Sequence, residues 1–137
     1  MQEKFKYDYC IKAGENIKSL FFDLKADFCN GYTRIDGESE ERLTFRKTFL
    51  VEIPEGKCHG WHDMDITKEY GNFVLRQRYY IHAINGGSWS TRTDKNTRVK
   101  DDLMYLLHSA CSISYNQEKI IHELKMLAYA NKQMLLK

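Results

Sequence analysis

The chain has 137 residues, 42% hydrophobic and 29% charged, with a formal net charge of only +2 at pH 7. This length and composition exclude disorder and predict one globular domain over residues 1–137. The small net charge argues against indiscriminate nucleic-acid binding, whose affinity grows with the number of phosphate contacts. No apolar run approaches the ~18 residues that cross a bilayer, and the charged N-terminal stretch lacks a signal-peptide core, so a cytoplasmic location is expected.

The first part of the chain contains three alternating stretches and one stretch with helical spacing. Polar and apolar residues alternate over Lys4–Ala13 and Arg42–Ile53, which predicts two half-buried strands, and Tyr32–Ile35 predicts a short one. Between the first two strands, apolar residues over Ile17–Phe28 recur at the spacing of one helix face. Asn30-Gly31 is expected to end this amphipathic helix, since both residues readily adopt the left-handed cap conformation.

The stretch that follows Pro54 has no clear period. Pro54 is expected to end the preceding strand, because proline has no N–H to donate to a neighbouring strand. Glu55–Tyr70 mixes polar, small and aromatic residues, and its Cys58–Asp65 segment concentrates Cys, His and Asp. We interpret Glu55–Tyr70 as an ordered loop with one helical turn.

The clearest pattern in the chain is a central hairpin. Residues alternate over Phe73–Ile84, so that Leu75 and Ile81 share an apolar face while Arg76 lies on a basic and aromatic face. Asn85-Gly86-Gly87 tolerates the positive φ of a tight turn, and Ser88–Thr93 is predicted to be the returning strand.

Two helices are predicted at the end of the chain. After the polar connector Asp94–Thr97, apolar residues over Val99–Ala110 have helical spacing, and Ser112-Ile113-Ser114 interrupts that helix. Ser114 and Gln117 have the spacing of a capping box, which predicts a second helix with its apolar stripe over Ile120–Leu135.

These elements predict an α+β fold in the order β-α-β-β-β-β-α-α. Strands joined by short turns pair antiparallel, so one antiparallel sheet is expected. The amphipathic helix after the first strand and the two C-terminal helices are expected to pack on one face of that sheet. The opposite face would carry arginines and tyrosines, for which a solvated surface is the ordinary explanation and a binding surface the alternative.

Positive charge is concentrated around the central hairpin. Residues 73–100 carry six Lys and Arg side chains against one Asp, a local charge of +5. Guanidinium groups bind phosphate oxygens and aromatic rings stack on bases, so this pattern favours an anion or nucleotide site. The predicted ligand-binding residues are Arg76, Arg78, Tyr80, Trp89, Arg92 and Arg98.

The segment around Cys58 is the candidate for metal or thiol chemistry. Cys58, His59, His62 and Asp63 include every common zinc-ligand type, but a structural zinc site needs a second pair of ligands, and none is visible. The sequence contains no P-loop, G-x-G-x-x-G or G-x-S-x-G motif, so no cofactor is predicted. The four scattered cysteines are expected to be free thiols, and no metal requirement is expected.

Three functions remain open from the sequence. The first is a non-enzymatic protein that binds a nucleotide-like or other anionic ligand, or a short nucleic acid, with no membrane partner. The second is an inhibitor or adaptor that binds a protein, since the composition, rich in Lys and poor in Pro, resembles that of small accessory proteins of phages or mobile elements. The third is a metal- or thiol-dependent enzyme. The apolar last helix also predicts a homo-oligomer.

Overall fold

Three long strands, neighbours along the chain, form the middle of the sheet in the computed structural model. The structure describes residues 29–35, 42–83, 89–94 and 96–131. The strands are β1 (Thr33–Arg34), β2 (Arg42–Ile53), β3 (Gly56–Glu69), β4 (Asn72–Ala83), β5 (Trp89–Thr93) and β6 (Arg98–Lys100), and the helices are α1 (Leu103–Tyr115) and α2 (Gln117–Ala130). A 3-10 turn at Cys29–Gly31 precedes β1.

Several predicted elements lie outside the described residues. They are the strand over Lys4–Ala13, the helix over Ile17–Phe28, the turn Asn85-Gly86-Gly87 and the end of the last helix at Leu135. The described part of the chain is an antiparallel sheet followed by two C-terminal helices, which confirms the α+β class.

The sheet has the strand order β1-β2-β3-β4-β5, with every pair antiparallel. β5 and β6 share one edge of β4: β5 pairs with Arg78–His82 and β6 with Phe73–Leu75. Asp94 lies at the break between them, where its backbone N–H donates to the Gln77 carbonyl at 2.7 Å.

Tight turns join the three long strands. β2 ends at Ile53 immediately before Pro54, as predicted, and a two-residue turn leads into β3. The next turn is Tyr70-Gly71, with φ of 51° and 82°. Positive φ at both central residues is the type I′ conformation, whose twist matches that of paired strands. Tyr70, fully exposed there, adopts a backbone conformation that glycine or asparagine adopts at lower cost.

The hydrophobic core lies between the two helices and one face of the sheet, which we call the helix face. It carries Leu43, Phe45 and Val51 of β2, Cys58, Met64 and Ile66 of β3, and Leu75, Tyr79 and Ile81 of β4, all buried. α2 comes close to the sheet at Gly60, where an added Cβ would lie 2.8 Å from Val51 Cγ2 and 3.4 Å from Leu124 Cδ2. The predicted division of β4 into an apolar and a basic face is therefore confirmed.

The interpretation of Glu55–Tyr70 as a loop is wrong, because Gly56–Glu69 is the longest strand of the described sheet. Gly60 and His62 interrupt its apolar face, and Asp63 and Asp65 are buried on its other face. The usual alternation of exposed polar and buried apolar residues is therefore hidden in the sequence.

The C-terminal boundaries also differ from those predicted. Val99 lies in β6 rather than in the first helix, and α1 continues through Ser112-Ile113-Ser114 to Tyr115. Ser114 does not cap α2, because its Oγ donates to the Cys111 carbonyl at 2.6 Å. The N-cap is Asn116, whose Oδ1 accepts from the Lys119 N–H at 3.3 Å.

The prediction of four free thiols is wrong at Cys111, which is disulfide-bonded. Wide spacing in sequence does not prevent two cysteines from meeting in the fold. Cys58 is a buried free thiol, and burial raises its pKa. Neither described helix has the length and apolar character needed to cross a bilayer.

Candidate functional site

The face of the sheet opposite the helices, which we call the arginine face, alternates positive and negative charge across three strands. Backbone register places Arg46, Asp63 and Arg78 side by side on β2, β3 and β4. The next row on the same face contains Asp65 and Arg76. Regular antiparallel pairing is sufficient to bring these charges together, since opposed residues share a face.

Two buried carboxylates on this face are each held by an arginine. The Nε and Nη2 atoms of Arg46 donate to Asp63 at 2.7 and 2.8 Å, and those of Arg42 donate to Asp65 at 2.9 and 3.3 Å. Thr44 Oγ1 donates a further bond to Asp65 at 2.6 Å. The side chains of Asp63 and Asp65 are only 5% and 4% exposed, so these bonds replace most of their hydration. The hydrogen bond to Asp63 raises the pKa of Arg46.

Arg76, a predicted ligand residue, is paired within the protein. Its Nη1 and Nη2 atoms donate to Glu69 at 2.5 and 3.1 Å. These hydrogen bonds, with one from Thr67, lower the pKa of Glu69 to about 2. An incoming anion would have to compete with Glu69 for this guanidinium.

Arg78 differs from the other arginines of this face. Among the described residues it forms no ion pair, and its Nε is buried without a hydrogen-bond partner. It borders a pocket of about 320 Å³, lined also by Ile35, Arg42, Thr44, Arg46, Asp63, Asp65 and Tyr80. Arg78 therefore lines an open volume with a guanidinium that no carboxylate of the described residues holds in an ion pair.

Tyr80 and Trp61 form a stacked aromatic pair on the same face. Their ring centroids are 5.1 Å apart with an interplanar angle of 19°. The guanidinium carbon of Arg46 lies 5.0 Å from the Trp61 centroid and 5.5 Å from that of Tyr80, within cation–π range. One face of Tyr80 is thus covered by Trp61, a contact that the interpretation of Glu55–Tyr70 as a loop could not predict.

Two of the other predicted ligand residues, Arg92 and Arg98, do not join this site. Arg92 is paired in register with Tyr79 rather than Tyr80, so it lies on the helix face. There its guanidinium carbon is 4.5 Å from the Tyr79 ring centroid and its Nη2 contacts Glu123. Arg98 pairs with Leu75 and also lies on the helix face. The backbone of Trp89 pairs with His82, and its side chain is outside the described part.

The candidate metal ligands are divided between the two faces of β3. Cys58 and His62 lie on the helix face, whereas His59 and Asp63 lie on the arginine face. Alternation along a regular strand separates them, and the described residues contain no group of three or more ligand-type side chains placed to hold a metal ion.

His62 instead belongs to a buried hydrogen-bond network. Its Nδ1 lies 2.7 Å from Tyr32 Oη, and its Nε2 lies 2.7 Å from Gln77 Oε1. Gln77 Nε2 donates to Asp94 Oδ2 at 2.7 Å, and Tyr79 Oη donates to Gln77 Oε1 at 3.1 Å. The Asp94 carboxylate can only accept, so Gln77 presents its Nε2 to Asp94 and its Oε1 to His62. Because Gln77 Oε1 is an acceptor, Nε2 of His62 carries the ring proton. The unprotonated Nδ1 then accepts from the Tyr32 hydroxyl.

This network predicts a stability that depends on pH. Burial lowers the pKa of His62 from 6.5 to about 4. Between these values the unfolded chain binds a proton that the native protein does not, so stability is expected to fall as the pH falls through this window. The loss should reach roughly 3 kcal/mol, since one pKa unit corresponds to about 1.4 kcal/mol.

Urea denaturation across this window measures the effect. His62→Gln removes the titrating group and should flatten the profile, whereas His122→Gln, at an exposed position of α2, should leave it unchanged. An unaltered profile in His62→Gln would show that another group is responsible.

Comparison with protein-family models, curated proteins and solved structures finds no match to this chain. The interpretation of the site therefore rests on its own geometry.

Proposed function

We propose that this protein is a non-enzymatic binding protein that holds a small anionic, nucleotide-like ligand in the pocket of the arginine face. The observation that carries the proposal is Arg78, which lines the pocket, forms no ion pair among the described residues and has a buried Nε without a hydrogen-bond partner. A buried donor of this kind costs free energy until an acceptor satisfies it. A phosphate or carboxylate oxygen is the acceptor that a guanidinium binds most strongly.

The charge of the pocket limits what it binds. Three guanidinium groups and two carboxylates line it, which leaves one net positive charge. Arg42 and Arg46 are already held by Asp65 and Asp63, so Arg78 supplies the main charged contact. One available cation suits a ligand with a single anionic group at this position. It does not suit a nucleic-acid backbone, whose affinity needs many phosphate contacts.

The shape and the remaining groups of the pocket favour binding over catalysis. Its volume of about 320 Å³ is within the usual range of small-molecule sites. Ile35 and Tyr80 add apolar and aromatic surface for the uncharged part of a ligand. Asp63 and Asp65 are hydrogen-bonded to arginines, so neither is placed to act as a general base.

Calorimetric titration with mononucleotides, cyclic dinucleotides and short oligonucleotides tests this proposal. Arg78→Ala is expected to lower the affinity about ten-fold or more, because it removes a charge-assisted contact of roughly 1.5–3 kcal/mol. The control is Lys125→Ala, which removes one positive charge from an exposed position of α2 outside the pocket and should leave the affinity unchanged. Binding should also weaken as salt is added.

Tyr80 provides a second control within the pocket. Tyr80→Phe keeps the ring stacked on Trp61 and should retain the affinity, whereas Tyr80→Ala removes the stack. Equal losses in Arg78→Ala and Lys125→Ala would contradict a local site. If no ligand in the screen binds and the protein instead copurifies with a tight protein partner, the inhibitor or adaptor alternative replaces this proposal.

A further inference from the structure

A second cavity, of about 200 Å³, lies on the helix face where β4 and β6 meet the junction of α1 and α2. Its polar lining consists of Gln77, Tyr79, Arg98, Ser112, Asn116 and Lys119, and two isoleucines of the helices complete it. β4 separates this cavity from the pocket of the arginine face, because Gln77 and Tyr79 alternate with Arg78 and Tyr80 along the strand.

The charge of this cavity is unlike that of the first pocket. Arg98 and Lys119 are both exposed, and within the described ranges neither forms an ion pair. No carboxylate is among the residues that the structure places in its lining. The lining therefore carries two positive charges and no carboxylate, although Asp94 is bound to the lining residue Gln77, and this balance favours an anion.

The floor of the cavity is held rigidly. Tyr79 is 4% exposed and its hydroxyl donates to Gln77 Oε1 at 3.1 Å. The Gln77 amide is fixed in turn by His62 and Asp94, at 2.7 Å on each side. A ligand therefore meets a preformed surface, and binding does not have to order these side chains.

We propose that this cavity binds the phosphoryl group of a small phosphate monoester. Such a group carries a charge of about −1.5 to −2 at pH 7, which suits a lining with two cations and no carboxylate. A guanidinium contacts two phosphate oxygens at once, and an ammonium adds a point charge. Ser112 and Asn116 add a hydroxyl and an amide for the other oxygens. The volume is below the usual range of about 300–1,000 Å³, so only a short ester group fits with the phosphate.

Titration of the full chain with methyl phosphate, followed by backbone amide NMR shifts at constant ionic strength, tests the proposal. Saturable shifts are expected at the start of α2 and in β6. Affinity should rise between about pH 5 and pH 7, as the ester takes on its second charge. Methyl sulfate, a monoanion throughout this range, should bind more weakly and show no such rise. Equal binding of the two esters would overturn the preference for a dianion.

Variants at the two cations locate the site. Arg98→Gln and Lys119→Gln should each weaken methyl phosphate binding about ten-fold, and both positions are exposed, so the fold should be retained. Lys125→Gln removes the same charge from an exposed position of α2 outside the lining and should have little effect. Equal effects at Lys119 and Lys125, or shifts confined to the arginine face, would overturn the proposal.

This inference does not depend on the proposed function. Arg78→Ala should leave the methyl phosphate shifts at the start of α2 and in β6 unchanged, since Arg78 does not line this cavity. Failure at one cavity is therefore distinguishable from failure at the other.

Discussion

Replacing Ile81 by aspartate is expected to unfold the protein, whereas replacing Arg76 on the same strand by alanine is expected to leave it folded. Ile81 is 0% exposed and lies in the core between the sheet and the helices. A carboxylate placed there would be desolvated without a partner, which costs several kcal/mol out of a total stability of about 5–15 kcal/mol.

Arg76 provides the matched comparison on the opposite face of β4. Its side chain is 32% exposed, and that of its partner Glu69 is 35% exposed. Ion pairs of this kind contribute about 0–1 kcal/mol, so the change in stability should be small. Thermal melts followed by circular dichroism measure both variants. A lower melting temperature in Arg76→Ala than in Ile81→Asp would mean that the two faces of β4 have been assigned the wrong way round.

The second large effect is expected at Arg46. Arg46→Ala should lower the free energy of unfolding by about 3 kcal/mol or more, since it leaves the Asp63 carboxylate buried without its two charged donors. The variant also removes the guanidinium that lies over the Trp61 and Tyr80 rings. Chemical denaturation measures the loss.

Two further variants separate the ion pair from the loss of packing. Arg46→Ala combined with Asp63→Ala leaves no unpaired buried charge, so this double variant should be more stable than Arg46→Ala alone. Arg42→Ala is the matched control, because the Arg42 side chain is 49% exposed and its partner Asp65 keeps the bond from Thr44. Arg42→Ala should therefore lower the free energy of unfolding clearly less than Arg46→Ala does. Equal losses at Arg42 and Arg46 would contradict the role assigned to burial.

The sequence was sufficient to predict the strands with regular alternation. β2 was predicted over Arg42–Ile53 and has those bounds, and the two faces of β4 were assigned correctly, although Val74 of the arginine face is also buried. In both strands the buried face is almost wholly apolar, so a pattern of period two is visible in the sequence. Pro54 also marked the end of β2 correctly.

β3 and the ion pairs of the site could not be predicted in the same way. The burial of Asp63 depends on Arg46, which lies on another strand, and the pairing appears only when the register is known. One local signal was available, because Cys58, Met64 and Ile66 stand at even positions while Trp61 stands at an odd one. This alternation is obscured in the sequence by His59, Gly60 and His62, which lie between Cys58 and Met64.

The grouping of Arg92 with Arg78 failed for a similar reason. Both are basic residues of one hairpin, but whether they share a face depends on the number of residues in the turn, and Arg92 came to lie opposite Tyr79. Closeness in sequence therefore predicted the two strands of the hairpin correctly, but it did not predict which of their side chains share a face.

The alternation along β4 also fixes how this strand pairs with its neighbours. A slip of one residue moves every side chain to the opposite face. In β4 such a slip would place Arg78 against the helices and Ile81 among the arginines, and it would also exchange the residues that line the two cavities. An amphipathic strand with a merely solvated polar face is held in register by the burial of one face alone. In β4, hydrophobic burial and the ion pair of Arg76 with Glu69 of β3 favour the same alignment, so a shifted pairing would lose both.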